Sequence, residues 1–290
     1  MGLVAIIGGS GVEDSPSLEG AQWKKLDTGY ASGLDHHTGV VWYKQGEGVV
    51  FIARHGGHPQ ENPRFGPAKT QYAANLLAAH HLGARVVVAT SAVGSLHGEN
   101  IGVGSLVIPH DYIDETGRND NLFGEGIVVH NNPIPAFSAE LRDILNLYAR
   151  GMRGRFNGVH EGGVYVVIPG DRFGTKAEGV RRAEYGTVVG MTICPEASMA
   201  QQLGMHYAVA AFPVDVNLDA NHEGGTLKVM KEMSALDKVP AYISRVVERA
   251  REIEFGLVDG LKGNIIPGDL MRIANPLLRN AARELVEKYC

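Results

Sequence analysis

The sequence predicts an α/β fold organised as a single domain. Short runs of β-prone residues alternate with helical patterns from one end of the 290-residue chain to the other, as in sheets covered by helices. The composition is 44% hydrophobic and 20% charged, too apolar for a disordered chain. Glycine makes up 38 of the 290 residues, well above the average of about 7%. This excess indicates many tight turns or places where backbone approaches a ligand.

The predicted strands are apolar and end in turn residues. Leu3–Ile7 is continuously apolar, which is typical of a strand buried on both faces. Gly39–Tyr43 and Val49–Ala53 are short enough and close enough to form a hairpin. Further strands with the same pattern are predicted at Val86–Ala89, Leu106–Pro109, Val164–Ile168 and Tyr207–Val214.

The helices are recognised by the residues at their ends. Pro67 and Gly83 bracket a helix over Ala68–Leu82, since proline favours a first turn and glycine a stop. Ser138 is a predicted N-cap, and Thr175 with Glu178 predicts a capping box. Further helices are predicted at Pro195–Leu203, at Pro240–Ile253 and from Asn275-Pro276 to the end of the sequence.

Charge and cysteine content exclude several classes of protein. Lys and Arg number 27 against 32 Asp and Glu, a formal charge of −5, which argues against nucleic-acid or anionic-membrane partners. The longest apolar segment, Val86–Leu96, is too short to span a bilayer. Leu3–Ile7 lacks the basic leader of a signal peptide. With only Cys194 and Cys290 there is no disulfide framework, so we expect a cytoplasmic location.

Three segments rich in hydrogen-bond donors follow predicted strands: Gly8-Gly9-Ser10-Gly11, Arg54-His55-Gly56-Gly57-His58 and Thr90–Leu96. In open α/β sheets ligands gather beyond the carboxyl ends of strands, and glycine-rich backbone with a nearby cation suits an anion. Each segment taken singly is also consistent with an ordinary turn. Together they predict an anion-binding edge of the sheet.

Metal and hydrolase chemistry are weakly supported. His55 and His58 have no obvious third ligand and the sequence has no His-Glu-x-x-His, so we expect no metal. A nucleophile elbow of the form Gly-x-Ser-x-Gly is also missing.

An ordered set of short motifs resembles the trimeric purine nucleoside phosphorylases, and within them the methylthioadenosine phosphorylase branch. The motifs run from Ile7-Gly-Gly-Ser-Gly11 through Ala53-Arg-His-Gly56, Asn75, Thr90-Ser-Ala-Val-Gly-Ser-Leu96, Pro109–Asp114, His130, Arg172-Phe173 and Gly190-Met-Thr-Ile-Cys-Pro-Glu196 to Val214-Asp-Val-Asn217. The resemblance implies a mixed central β-sheet flanked by helices over residues 1–254. Residues 255–290 have no counterpart that we can place and are expected to form a C-terminal helical extension packed on that domain.

The implied activity is phosphorolysis, in which a purine nucleoside and phosphate give the free base and a ribose 1-phosphate. Inorganic phosphate is then a co-substrate and no cofactor is needed. The family likeness also implies a role in purine salvage and a homotrimer or dimer of trimers.

The likeness assigns residues to each part of the substrate. The phosphate positions are Ser10, Arg54, His55, Ser91, Ala92 and Thr192. The base positions are Phe173, Asp215 and Asn217; Met191 lies under the ribose; and His130 comes from a neighbouring subunit to border the 5′ pocket. Asp215 and His55 are the expected catalytic residues. Without the likeness, Met191 and Phe173 would be typical core residues, Thr192 a turn residue and Asp215 a helix cap.

The sequence departs from the family pattern in three places. Pro169-Gly170-Asp171 replaces the usual Glu-Gly-Pro, Asn217 replaces a second Asp, and Lys228 and Lys231 stand near positions that are normally aliphatic, unless the alignment slips to Val229. The 5′ substituent therefore stays open. Asp215 predicts an adenine nucleoside such as 5′-methylthioadenosine, because a carboxylate accepts from an amino group and repels a carbonyl oxygen. The alternatives are a 6-oxopurine nucleoside or methylthioinosine phosphorylase, a hydrolase, and a nucleoside-binding homologue without activity.

Overall fold

The computed structural model describes residues 2–9, 12–30, 38–56, 64–216 and 238–290. Its strands are β1 (Leu3–Gly8), β2 (Trp23–Asp27), β3 (Val40–Gly46), β4 (Val49–Ala53), β5 (Ala84–Ser95), β6 (Leu106–Ile108), β7 (Asp111–Asp114), β8 (Ile127–Val129), β9 (Val159–Glu161), β10 (Val164–Val167), β11 (Val188–Gly190), β12 (His206–Val216) and β13 (Ile265–Pro267). Its α-helices are α1 (Tyr72–His81), α2 (Ala139–Gly151), α3 (Lys176–Ala183), α4 (Glu196–Gln202), α5 (Lys238–Glu252) and α6 (Pro276–Tyr289). The expected α/β class with a mixed sheet is confirmed.

Strand β5 is the hub of the sheet. It pairs in parallel with β1 and β12, and antiparallel with β11 at its carboxyl end. From β1 the sheet continues through β4, β3 and β2, and from β11 it continues through β10 and β7. Strand β12 carries a branch to β6 and β9. The carboxyl ends of the parallel strands β1, β4, β5 and β12 therefore meet along one edge.

Local sequence signals set the helix starts as predicted. Ser138 caps α2 by accepting from the Leu141 N–H, and Asn275 caps α6 by accepting from the Leu278 N–H. Thr175 and Glu178 form the predicted capping box of α3. Each cap satisfies N–H groups that have no partner inside the first turn.

One hydrophobic core joins the sheet to the helices on its faces, from Val4 in β1 to Leu285 in α6. Helix α2 packs against α5, and α1 packs against α4 and α6. The predicted strand Leu3–Ile7 is confirmed, with its residues from Val4 onward buried, because it lies between β4 and β5.

The C-terminal segment is tied to the rest of the molecule. Helix α6 buries Leu278, Ala281, Ala282 and Leu285. Glu284 accepts a hydrogen bond of 2.7 Å from Arg85, and Asn275 Nδ2 donates to the Thr28 carbonyl at 2.9 Å. Strand β13 pairs with β8 to make a separate two-stranded ribbon. The segment thus adds a strand as well as the expected helix; the domain boundary at residue 254 stays a prediction.

Two predicted elements differ from the structure. Strand β5 runs on to Ser95, so Thr90–Ser95 belongs to the strand and does not follow it, because it pairs with both β12 and β11. Helix α1 begins at Tyr72, and Pro67–Lys69 is a 3₁₀ turn. Thr70 keeps an extended backbone there, and its hydroxyl donates to the Gly66 carbonyl. In the ranges described, no helix is long and apolar enough to cross a membrane.

Candidate active site

A cavity of about 460 Å³ opens at the edge where the parallel strands end. Its lining includes residues from β1, β4, β5 and β12 and from the loops after β10 and β11. Eight predicted site residues line it: Arg54, His55, Ser91, Ala92, Phe173, Met191, Thr192 and Asp215. Ser10 and Asn217 lie outside the described residues. The roles of all these residues stay predictions.

Arg54 follows β4 and is only 2% exposed. Its Nε and Nη2 donate to Oε2 and Oε1 of Glu196 at 2.8 and 2.9 Å. Its Nη1 donates to the Thr90 carbonyl at 2.6 Å and Nη2 to the Ile7 carbonyl at 2.9 Å. Burial alone would lower the pKa of Arg54, but the Glu196 charge raises it above its ordinary value. The guanidinium is therefore charged, held by backbone carbonyls of β1 and β5, and neutralised by Glu196.

Hydroxyl groups form a second polar cluster. Ser91 Oγ in β5 lies 3.0 Å from Thr192 Oγ1, which follows β11. Tyr165 Oη in β10 lies 2.8 Å from Ser91 Oγ. The cluster supplies neutral donors on the cavity wall, where an anion could be held without further charge.

His55 is neutral at pH 7. Its Nδ1 lies 3.1 Å from Thr70 Oγ1. Burial, with the Arg54 charge adding to it, lowers the pKa of His55 to about 4. His55 can therefore contribute a hydrogen bond to a ligand at neutral pH, but not a positive charge.

The loop that carries Phe173 is held by ion pairs on the surface. Arg172 donates to the Phe173 carbonyl at 2.9 Å and makes a bidentate pair with Glu178 at 2.7 and 2.8 Å. The hydrogen bonds from Arg172 lower the pKa of the Glu178 carboxyl to about 2. Phe173 itself is 65% exposed, so it forms an open wall at the cavity mouth and is not a core residue.

Arg118 fixes the wall that contains Met191. Its Nη1 lies 2.9 Å from the Met191 carbonyl, 2.6 Å from the Cys194 carbonyl and 3.1 Å from the Tyr72 hydroxyl. Its Nη2 donates to the Pro169 carbonyl. One guanidinium therefore joins the loops after β10 and β11 to the start of α1.

Asp215 and His130 lie in different surroundings. Asp215 is half-buried near the end of β12, opposite Gly94 of β5, and so is not the helix cap that the sequence alone allowed. His130 is exposed just after β8; its N–H donates to the Asn264 carbonyl at 2.9 Å. It does not line the cavity of its own chain. The predicted part of His130 in the 5′ pocket would need a second subunit.

Sequence reasoning missed the residues that act behind the wall. Glu196 and Tyr165 lie in quoted motifs or predicted strands but carried no predicted role, and Arg118 was not singled out. The signal available was a carboxylate and a tyrosine in otherwise apolar, buried segments.

The exposed Arg64 also lines the cavity, and its charge helps to lower the pKa of His55. Within the described ranges, no group of at least three His, Cys, Asp or Glu residues could hold a metal ion.

Comparison with known proteins identifies the family to which this fold belongs. The family model described as the phosphorylase superfamily matches residues 3–250. The chain belongs to the phosphorylase superfamily.

Individual members are similar along most of their length. An S-methyl-5′-thioadenosine phosphorylase of Pyrobaculum aerophilum is 35% identical over 238 residues, covering 79% of this chain and 80% of that protein. One of Pyrococcus furiosus is 34% identical over 267 residues, covering 90% of this chain and 98% of that protein.

The solved structures agree with the fold. A methylthioadenosine phosphorylase from an antarctic soil metagenomic library has a TM-score of 0.81 and 26% identity, covering 96% of this chain and 98% of that one. The Schistosoma mansoni methylthioadenosine phosphorylase in complex with adenine has a TM-score of 0.71 and 25% identity, covering 100% and 99%. Since these alignments span nearly the whole chain, they reach into residues 255–290. The assignment of this segment as an extension separate from residues 1–254 stays a prediction.

Proposed function

We propose that this phosphorylase cleaves 5′-methylthioadenosine or a related adenine nucleoside with inorganic phosphate. The products would be adenine and the 5-substituted ribose 1-phosphate. The observation that carries the proposal is the single cavity that brings Arg54 and the Ser91–Thr192 hydroxyls together with Met191 and Asp215, in a chain akin to S-methyl-5′-thioadenosine phosphorylases.

The proposed chemistry uses charges that develop as the glycosidic bond breaks. The sugar becomes positive and the departing purine becomes negative. A phosphate dianion at the hydroxyl cluster would stabilise the sugar cation and then attack its anomeric carbon. Met191 would face the ribose, and the fixed loops around it would orient the sugar above the phosphate.

Apart from the exposed Arg64, the phosphate end would work largely through dipoles. Since Glu196 neutralises Arg54 and His55 is uncharged at pH 7, these groups add little net charge. Hydroxyl and backbone donors that are already fixed do not need to reorganise when the anion binds, and this lowers the barrier.

The base end would depend on Asp215. The carboxylate would accept from the exocyclic amino group of adenine, and when protonated it would share its proton with N7 of the departing base. An O6 carbonyl would instead face a carboxylate, which favours adenine over hypoxanthine. Phe173 would cover one face of the base.

The quaternary structure is part of the proposal. His130 is exposed and outside its own cavity, as a residue serving a neighbouring 5′ pocket would be. We infer a homotrimer, which light scattering would detect as a mass near three times 31.1 kDa. A monomer in solution would remove His130 from the proposed site. The same proposal includes phosphate as co-substrate without another cofactor, a role in purine salvage and a cytoplasmic location.

The deciding experiment is an assay of base release from adenosine, inosine, methylthioadenosine and methylthioinosine, with and without phosphate. We expect release that requires phosphate and is fastest with an adenine nucleoside. Release that is independent of phosphate would instead identify a hydrolase. Faster cleavage of methylthioinosine would identify Asn217 as the residue that reads the base, and binding without turnover would indicate an inactive homologue.

A further inference from the structure

Tyr165 stands directly behind the hydroxyl cluster of the cavity. It lies within β10 and is fully buried. Its Oη is 2.8 Å from Ser91 Oγ, which is 3.0 Å from Thr192 Oγ1. Ser91 and Thr192 line the cavity and Tyr165 does not. The three hydroxyls form a short chain from the core to the cavity wall.

The direction of these hydrogen bonds follows from burial. A tyrosine hydroxyl in a dry interior donates its proton to a nearby acceptor, because an unmade hydrogen bond there is costly. In the described part of the chain its partners are Ser91 and Thr192. Burial also raises the pKa of Tyr165, so the phenol keeps its proton. When Tyr165 donates to Ser91, the Ser91 proton goes to another acceptor, which is Thr192 Oγ1 at 3.0 Å or the Ala92 carbonyl at 3.4 Å. Donation to Thr192 leaves the Thr192 proton available to a ligand in the cavity.

The fold leaves space for this hydroxyl at Gly190. Gly190 ends β11 and is the register partner of Val167 in β10. A Cβ atom at position 190 would lie 1.9 Å from Tyr165 Oη, far inside van der Waals contact. The same Cβ atom would lie 2.5 Å from Tyr165 Cζ, so the absence of a side chain at Gly190 makes room for both the ring and the hydroxyl of Tyr165.

We propose that Tyr165 is a positioning residue for phosphate, which donates to Ser91 and through it directs the Ser91–Thr192 hydroxyl pair to donate into the cavity. A hydroxyl that accepts one hydrogen bond becomes a stronger donor in the next. This matters here because Arg54 is already neutralised by Glu196. The inference rests on the phosphorolysis proposed above.

The test compares two conservative variants of fully buried tyrosines. Tyr165→Phe removes the hydroxyl behind the cavity. Tyr242→Phe removes a hydroxyl that donates to the Leu145 carbonyl at 2.8 Å in the packing of α5 against α2, away from the cavity lining. We expect both variants to lose stability, but only Tyr165→Phe to raise the phosphate KM, by about tenfold, the equivalent of one hydrogen bond. The nucleoside KM should stay unchanged in both.

A double variant tests whether Tyr165 acts through Ser91. If it does, Tyr165→Phe with Ser91→Ala should have a phosphate KM no higher than Ser91→Ala alone, since the two changes remove one pathway. Independent effects that multiply would contradict the proposal.

Binding of inorganic phosphate without turnover gives a second readout. Phosphate should raise the Tm of the native protein and of Tyr242→Phe more than that of Tyr165→Phe. A native phosphate KM and a native Tm shift in Tyr165→Phe would overturn the role of Tyr165 and leave phosphorolysis standing. If the native enzyme releases base without phosphate, phosphorolysis fails, and the Tm shift still decides whether Tyr165 orders an anion site.

Discussion

Arg54, which lines the cavity, and Glu196 form a buried bidentate ion pair with side-chain exposures of 1% and 0%. The Tyr207 hydroxyl adds a third hydrogen bond to Glu196 at 2.8 Å. The two residues are 142 positions apart in the sequence. A buried pair of this kind is stable only while both charges are present.

Arg54→Ala should impair both phosphate use and stability. The phosphate KM should rise, with a loss of about 2–4 kcal/mol in transition-state stabilisation, because a fixed hydrogen-bond donor is lost even though Glu196 balances its charge. The unfolding free energy should fall by about 3–5 kcal/mol, because Glu196 is left buried and unpaired. Steady-state kinetics at saturating nucleoside and denaturant unfolding measure the two effects.

The double variant Arg54→Met with Glu196→Leu separates these effects, since it removes both charges. It should recover much of the unfolding free energy that Arg54→Ala loses, whereas the phosphate KM should stay raised. A single Arg54→Ala variant with a normal phosphate KM would show that Arg54 only holds strands together.

Asp215→Asn should shift the preference from adenine toward hypoxanthine nucleosides. An amide can donate to O6, which a carboxylate cannot. A mismatch that leaves buried polar groups unpaired can change kcat/KM by several powers of ten. The ratio of kcat/KM for methylthioadenosine to that for methylthioinosine measures the shift, and an unchanged ratio would assign base selection to another residue.

Stability should fall as the pH drops from about 6.5 to 4, partly because of His80. Burial, assisted by the Arg85 charge and opposed by Glu284, lowers the pKa of His80 to about 4. The unfolded chain therefore binds a proton in this window while the folded chain does not, which costs about 3 kcal/mol for one such histidine. His80→Gln should flatten the pH dependence of the unfolding free energy. His81→Gln, at the exposed neighbouring position, should leave its slope in place.

Arg118→Ala should raise the nucleoside KM more than the phosphate KM. The substitution removes the Arg118 donor from the Met191 and Cys194 carbonyls and leaves Met191 with a 3.4 Å hydrogen bond from the Tyr72 hydroxyl. This loosens the wall proposed to face the ribose. We expect up to about a tenfold effect, the equivalent of a lost hydrogen bond. Arg150→Ala is the matched control, because Arg150 pairs with Glu161 on the surface, where such pairs contribute little. Equal changes in both KM values would contradict a role limited to the nucleoside.

Signals within a few residues were sufficient to predict much of the fold. The caps at Ser138, Thr175 and Asn275 and the buried run of β1 are local properties of the chain, and the structure has them all. Strand β7 was missed because its residues are mostly polar and exposed. The β8–β13 ribbon was missed because its strands are distant in sequence and only three residues long.

The residues of the candidate site also divide into those that the local sequence predicts and those that it does not. Donors in or next to the predicted strands, such as Ser91 and Arg54, could be predicted because their neighbours in the chain set their positions. The partner of Arg54, Glu196, could not be predicted, because it is 142 residues away in the sequence. It meets Arg54 only because α4 packs against β12. Predicting it would need the fold first.

Because β5 lies inside the sheet, the parts of the cavity differ in how easily their backbone opens to solvent. Ser91 and Ala92 belong to the strand that pairs with β1, β11 and β12, so their amide hydrogens exchange with solvent only when the core opens. Phe173 belongs to an exposed loop held by surface pairs, where exchange requires only local opening. The part of the anion site that β5 forms is thus as rigid as the core. The loop that carries Phe173 can vary over evolutionary time without disturbing it.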